Sequence, residues 1–135
     1  MPAPTDLWAL NTEAKAQEFL AAAQPIHISN FVGNEFAPHK NSEDWIDSTN
    51  PRTAKTLVKV PRSGPEDVEV AVEAAAKAFP SWSKTSRKER SQLLQRVAGL
   101  ISENKELFAV WESVDQGKTL ARARIEIDRA IDNFK

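Results

Sequence analysis

The sequence predicts an α+β fold in which short β-hairpins come first and a layer of three to four helices follows. Two observations support this prediction. Up to Val60, β-branched and aromatic residues alternate with polar ones in short runs that end at Gly, Asn or Pro. From Ser63 onward, the apolar period lengthens from about two residues to about 3.6, the spacing of an amphipathic helix. The chain therefore changes from strands to helices near its middle.

Length and composition limit the classes of function. The 135 residues are enough for one domain with a hydrophobic core. Because the net charge is only −1, neither nucleic acid nor a membrane is expected as a partner. The absence of cysteine excludes disulfides, thiolate metal sites and a cysteine nucleophile. No run approaches the roughly 20 apolar residues of a membrane span, and no leader peptide is recognisable, so we expect a cytoplasmic protein.

The chain divides into a partly helical N-terminal extension, residues 1–25, and a main segment, residues 26–135. In the extension, Thr12 can cap an alanine-rich helix over residues 13–23. In the main segment, Gly33-Asn34 favours the tight turn of a hairpin. The predicted strands cover residues 26–32, 35–36, 45–49 and 56–60.

Caps and breaks mark the helices. Ser63 and Glu66 fit a capping box, and the helix after it carries an apolar stripe that Pro80 should end. A second box at Ser86 opens a longer helix, with a break near Asn104 and a left-handed end at Gly117. The predicted apolar positions are Val68, Val72, Ala75 and Phe79, then Leu93, Leu94, Val97, Leu100 and Ile101, then Leu107, Trp111 and Val114.

The last helical pattern has a beginning but no stop signal. Its apolar residues stay in phase from Leu120 to Phe134, with no Gly, Asn or Pro after them. The pattern favours a helix that is cut, and hence a chain that is part of a longer protein. The alternative is a last helix of a domain that simply frays.

Asp115 is the residue that most suggests a site. It stands at the predicted C-terminal end of a helix, where free carbonyls already make the potential negative. Carboxylate and carbonyl oxygens together suit a hard cation such as Na⁺, K⁺ or Ca²⁺. The alternative is a solvated aspartate whose charge Lys118 offsets, and the residues alone favour this alternative.

Other candidate sites have simpler explanations. His27 and His39 lie apart in a strand and a loop, with no second ligand at metal spacing, so we expect no metal role. The basic run over residues 84–90 is typical of a solvated helix start. No glycine-rich loop suited to a phosphate is present in the sequence.

From about Asn30 to Phe134, the chain resembles the N-terminal segment of the NAD(P)-dependent aldehyde dehydrogenase superfamily. The residues that carry this resemblance are Phe31-Val32-Gly33-Asn34-Glu35-Phe36, Ser48-Thr49-Asn50-Pro51, Val60-Pro61, Glu66-Asp67-Val68, Ala71-Val72-Glu73-Ala74-Ala75, Ala78-Phe79, Trp82, Glu89-Arg90 and Glu112-Ser113-Val114-Asp115-Gln116-Gly117-Lys118. The residues around Trp82 and Asp115 are most similar to those of 2-aminomuconic and hydroxymuconic semialdehyde dehydrogenases.

The resemblance implies a fragment of an oxidoreductase that converts an aldehyde, with a muconic-type semialdehyde as one candidate, to a carboxylic acid with NAD or NADP. The fragment would belong to the α/β, Rossmann-like cofactor domain of the parent fold. The family's catalytic cysteine, glutamate and asparagine and its cofactor-binding residues lie beyond Lys135. We therefore expect no catalytic residue, no cofactor-binding residue and no tight cofactor binding in this chain. The expected partners are the remainder of the dehydrogenase, or a homo-oligomer of it, and the aldehyde.

One family site falls inside the chain. The resemblance implies a bound Na⁺ or K⁺ held by backbone oxygens of Ser48 and Thr49 and by Asp115. Ala54 departs from the family, which usually has glycine there, so either backbone strain or a rearranged turn is expected at this position. An alternative function is a non-catalytic helical interaction module, or pseudoenzyme, that binds an intact dehydrogenase subunit.

Overall fold

The computed structural model describes residue 14, residues 26–37, residue 39 and residues 43–135. The described chain separates into two compact units. Among the described residues, those within 50–55 and 87–135 belong to unit 1, and those within 26–49 and 56–86 belong to unit 2. The helix predicted over residues 13–23 lies outside the described residues, except for residue 14.

The described part of unit 2 contains five short strands. They are β1 (Ile26–His27), β2 (Asn30–Val32), β3 (Glu35–Ala37), β4 (Trp45–Thr49) and β5 (Thr56–Pro61). β5 lies between β1, its parallel neighbour, and β4, its antiparallel neighbour. β2 and β3 form a separate antiparallel hairpin. The predicted hairpin turn is confirmed, because Gly33 and Asn34 have positive φ values of 62° and 71°.

The strand predicted over residues 26–32 is wrong as a single element. The chain pairs with β5 through β1, and the Ile28 N–H still donates to the Lys59 carbonyl at 3.0 Å. After Ser29, the chain leaves β5 and pairs with β3 instead. Alternation along the sequence could not reveal this change of pairing partner, because both parts have the same two-residue period.

Helix α1 (Pro65–Trp82) belongs to unit 2, and both of its ends differ from the prediction. Gly64, not Ser63, is the N-cap residue, and its N–H donates to the Asp67 carboxylate at 2.9 Å. The Ser63 hydroxyl instead donates to the Asn30 side chain at 3.0 Å. Pro80 lies inside α1 and does not stop it, because only the final turn must adjust to the missing proline N–H.

Over residues 87–135, unit 1 contains three helices: α2 (Arg87–Glu103), α3 (Lys105–Gln116) and α4 (Leu120–Asn133). The predicted break at Asn104 is confirmed, and its side-chain amide donates to the Leu100 carbonyl at 2.9 Å. Gly117 ends α3 in the left-handed region with φ of 72°, as predicted. Thr119 caps α4, because its hydroxyl accepts from the Arg122 N–H at 3.3 Å.

The core of unit 1 lies between its helices. Buried Leu107 and Val110 pack against Trp111, Val114 and Leu120, which confirms the stripe predicted for α3. Further buried residues are Ala98, Ala109, Ala123 and Ile131. The stripe predicted for α2 is only partly buried, since Leu93, Leu94 and Leu100 are exposed. Within the described residues, no helix is both long and apolar enough to cross a membrane.

Candidate functional site

Two of the motifs that carry the resemblance meet within unit 1. The turn at Gly117 lies against the proline of the Asn50-Pro51 turn, so closely that a Cβ added to Gly117 would be 2.6 Å from Cγ of Pro51. Glycine is therefore required here both for its positive φ and for the space that it leaves. The sequence predicted the first requirement, but only the structure shows the second.

The loop over residues 50–55 is closed by its own hydrogen bonds. The Asn50 side-chain oxygen accepts from the Arg52 N–H at 2.9 Å, and the Asn50 carbonyl accepts from the Ala54 N–H at 2.8 Å. The Asn50 N–H in turn donates to the Lys55 carbonyl at 2.9 Å. This closure holds Ala54 at φ of 55°, which confirms the strain expected where the family has glycine.

The strain at Ala54 predicts a stabilising substitution. Ala54→Gly should raise the free energy of unfolding by about 1 kcal/mol, because glycine removes the left-handed penalty at a modest cost in chain entropy. Urea denaturation followed by circular dichroism measures this difference. The matched control is Ala121→Gly on the exposed side of α4, which should lower the same free energy by about 1 kcal/mol. A loss of stability in Ala54→Gly would contradict the strain.

Lys118 links the turn to both neighbouring helices. Its ammonium lies 2.5 Å from carboxylate oxygens of both Glu112 and Glu126, and Arg122 pairs with Glu126 at 3.1 Å. The Ser113 hydroxyl also donates to the Lys118 carbonyl at 2.7 Å. Hydrogen bonding to Glu112 and then to Glu126 raises the pKa of Lys118. Lys118 thus pairs with two glutamates that the sequence analysis did not connect with it.

A second set of ion pairs joins α3 to α4. Arg124 contacts Glu106 through two nitrogens, with Nη2 2.8 Å from Oε2 and Nε 3.0 Å from Oε1. Lys105 pairs with Asp128 at 2.7 Å. Hydrogen bonding from Arg124 lowers the pKa of Glu106, and hydrogen bonding from Lys118 lowers that of Glu126. Sequence patterns that compare neighbours on one helix do not detect these cross-helix pairs.

These pKa shifts fix the sign of the pH dependence. Glu106 and Glu126 have pKa values below their ordinary 4.5, so they contribute stability above that pH and lose it as pH falls through the lowered values. Lys118 has a pKa above its ordinary 10.5, so its contribution is complete below that pH and is lost only at more alkaline pH. The contribution of these three groups to the melting temperature should therefore be nearly constant between about pH 5 and pH 10 and fall on both sides.

The carboxylate of Glu106 can be tested directly. Glu106→Gln should lower the melting temperature at neutral pH, because the charged pair with Arg124 is lost. It should also reduce the further fall in melting temperature below pH 4.5, because the glutamine amide and a protonated glutamate are both uncharged. Glu103→Gln, which changes an exposed carboxylate on α2, is the control. Melting curves for the two variants and the parent chain across this range give the answer. If the melting temperatures of Glu106→Gln and the parent chain fall equally below pH 4.5, the contribution of the Glu106–Arg124 pair is contradicted.

The three predicted cation ligands belong to different units. Ser48 and Thr49 end β4 in unit 2, where the pairing with β5 shows an irregularity between the two residues. Asp115 lies in the last turn of α3 in unit 1 and is exposed. The monovalent cation site stays a prediction. In the described part of the chain, no group of three or more His, Asp and Glu side chains could hold a metal ion.

The histidines have a role that their spacing did not indicate. His27 and His39 are separated in the sequence, but both rings lie edge-on to the indole of Trp45, with centroid distances of 4.5 Å and 4.7 Å. His39 is buried, and its Nε2 is 3.1 Å from the Asp44 carbonyl. Both side chains therefore pack around the start of β4.

Residues 36–135 match the aldehyde dehydrogenase family. Among curated relatives, 2-aminomuconic semialdehyde dehydrogenase of Bos taurus is 47% identical over 109 residues, which cover 80% of this chain and 22% of that protein. Acetaldehyde dehydrogenase 2 of Cupriavidus necator is 38% identical over 107 residues, or 78% of this chain and 21% of that protein.

Solved structures agree with this assignment. HpcC from Thermus thermophilus superposes with a TM-score of 0.76 at 31% identity, covering 96% of this chain and 23% of that one. Betaine aldehyde dehydrogenase from Staphylococcus aureus, in complex with NAD⁺, gives 0.78 at 27% identity, covering 90% and 24%. Strands, helices and the Gly117 turn thus define a segment of the fold that these solved structures share. The chain belongs to the aldehyde dehydrogenase family, and it spans about a fifth of the length of the relatives that it matches.

Proposed function

We propose that this chain is a structural segment of a longer NAD(P)-dependent aldehyde dehydrogenase, which oxidises an aldehyde to a carboxylic acid. The observation that supports this most is the packing of the Asn50-Pro51 turn on Gly117, inside a family match that covers residues 36–135. Two separate motifs of the resemblance thus meet as one structural feature. In this proposal, the chain contributes two folded units to the enzyme, and the catalytic residues lie in the remaining polypeptide.

The absence of cysteine supports the proposal that the catalytic residues lie outside this chain. Aldehyde oxidation by the family's route needs a thiolate that adds to the carbonyl carbon, a nicotinamide that accepts hydride and a water that releases the acid. Because this chain has no cysteine, the thiolate must come from the rest of the enzyme. NAD or NADP is likewise bound by the parent enzyme in this proposal.

A muconic-type semialdehyde is the substrate that we propose. Curated relatives named 2-aminomuconic semialdehyde dehydrogenase, from Bos taurus, Homo sapiens, Mus musculus and Danio rerio, are 43% to 47% identical over 109 residues. In the same proposal, the parent is a cytoplasmic homo-oligomer, and it binds Na⁺ or K⁺ through Ser48, Thr49 and Asp115. The alternative of a non-catalytic interaction module receives no support from the comparisons.

A segment exchange tests the proposal. In the chimera, residues 26–135 of this chain replace the matching segment of the Bos taurus relative, and NADH formation with 2-aminomuconic semialdehyde is followed by fluorescence. We expect an active chimera, whereas the purified chain alone should form no NADH with any aldehyde. An inactive or insoluble chimera would overturn the proposed function. NADH formation by the isolated chain would overturn the proposal that the catalytic residues lie outside it.

A further inference from the structure

Helix α1 exposes a continuous apolar stripe, formed by Val68, Val72, Ala75 and Phe79. The three larger side chains are 57%, 55% and 63% exposed, in that order. Their spacing of three and four residues places them on one face of the helix. A row of large apolar side chains on one exposed face is typical of an interaction surface rather than of scattered surface residues.

Unit 2 uses a different face of the same helix. The less exposed positions of α1 are Asp67, Ala71 and Ala74, which lie about a quarter of a turn away from the α1 stripe. Helix α1 contacts β2 within unit 2. The α1 stripe is therefore additional to the packing that holds the helix in unit 2.

The charges around the α1 stripe define the chemistry of a partner. Helix α1 carries four acidic residues, Glu66, Asp67, Glu69 and Glu73, and one basic residue, Lys77. Helical geometry places Glu69 at one edge of the α1 stripe, beside Val72, and Glu73 farther round the helix. A complementary surface would be apolar at its centre and basic at the rim next to Glu69.

The length of the relatives indicates where this surface lies. The chain covers 22% of its Bos taurus relative and 24% of the betaine aldehyde dehydrogenase structure, so more than three quarters of such a polypeptide lies outside it. We propose that the α1 stripe docks into an apolar groove with a basic rim in that remaining part of the dehydrogenase. This inference rests on the proposed function, because it requires the rest of the enzyme as the partner.

Val72→Asp in the chimera described above tests the inference, with Val70→Asp as the matched control. Both changes place a carboxylate on the same helix, but helical geometry puts Val70 on the opposite side from the α1 stripe. Val72→Asp should lower the melting temperature of the chimera by about 5 °C or more, and Val70→Asp by less than about 2 °C. In the isolated chain, neither change should lower it by more than about 2 °C, because both residues are exposed there.

The outcomes separate the two proposals. An inactive parent chimera would count against the proposed function, whereas equal melting temperatures for the two variants in an active chimera would overturn the docking inference alone. The isolated chain could instead form a defined dimer that Val72→Asp dissociates, while the chimera is unaffected by this change. The α1 stripe would then bind a second copy of the chain, and the docking inference would be overturned as well. Glu69→Lys should also destabilise the chimera, and an unchanged melting temperature would overturn the basic rim.

Discussion

Gly117→Ala should lower the free energy of unfolding by roughly 2 to 4 kcal/mol, the larger of the glycine effects expected in this chain. Part of the loss comes from the backbone, because φ is 72°. The rest comes from the clash of the new Cβ with Pro51, whose Cγ would be only 2.6 Å away. Urea denaturation of the purified chain, followed by circular dichroism, measures the sum.

Two other glycines separate these contributions. Gly33 has a similar φ of 62°, but a Cβ there would meet no atom within 4 Å, so Gly33→Ala should cost only about 1 to 2 kcal/mol. Gly99 lies inside α2 with open space around it, so Gly99→Ala should stabilise by up to about 1 kcal/mol. Equal losses for Gly117→Ala and Gly33→Ala would show that the contact with Pro51 carries no energy.

Leu107→Ala should lower the free energy of unfolding by about 2 to 4 kcal/mol. Leu107 is 6% exposed and packs in the centre of unit 1, so its truncation leaves a cavity among Val110 and the neighbouring side chains. Thermal and urea denaturation of the variant would measure the loss, which should also appear as a lower melting temperature.

The control is a leucine from the same predicted pattern. Leu100 is 57% exposed, so Leu100→Ala should change the free energy of unfolding by less than about 1 kcal/mol. The same side chain is removed in both variants, so the difference between them measures burial alone. Equal losses would mean that the two leucines are equally buried in solution, contrary to the structure.

These two leucines show how far helical periodicity can be used. The sequence placed both Leu100 and Leu107 on apolar stripes, and both lie on helices as predicted. Periodicity indicates which residues share a face of one helix, but not whether another element covers that face. α3 has such cover and α2 has it only in part, so the core was overpredicted for α2 and correctly predicted for α3.

In the candidate site, too, some features could be predicted from the sequence and others depend on packing. Glycine at position 117 predicted a left-handed helix end, because that conformation depends on local sterics alone. The contact of Gly117 with Pro51 and the pairing of Lys118 with Glu112 and Glu126 could not be predicted, since they depend on how loops and helices pack.

The sequence by itself determined the order of strands and helices, the turns at Gly33 and Gly117, and the membership of the aldehyde dehydrogenase family that the comparisons confirmed. Local backbone preferences and apolar periods are sufficient for the elements and turns, and the family follows from the motifs that carry the resemblance. The tertiary structure alone decided which strands pair, which apolar faces are covered, and why position 117 tolerates no side chain. Those features arise from contacts between residues that lie far apart in the chain, which no local pattern records.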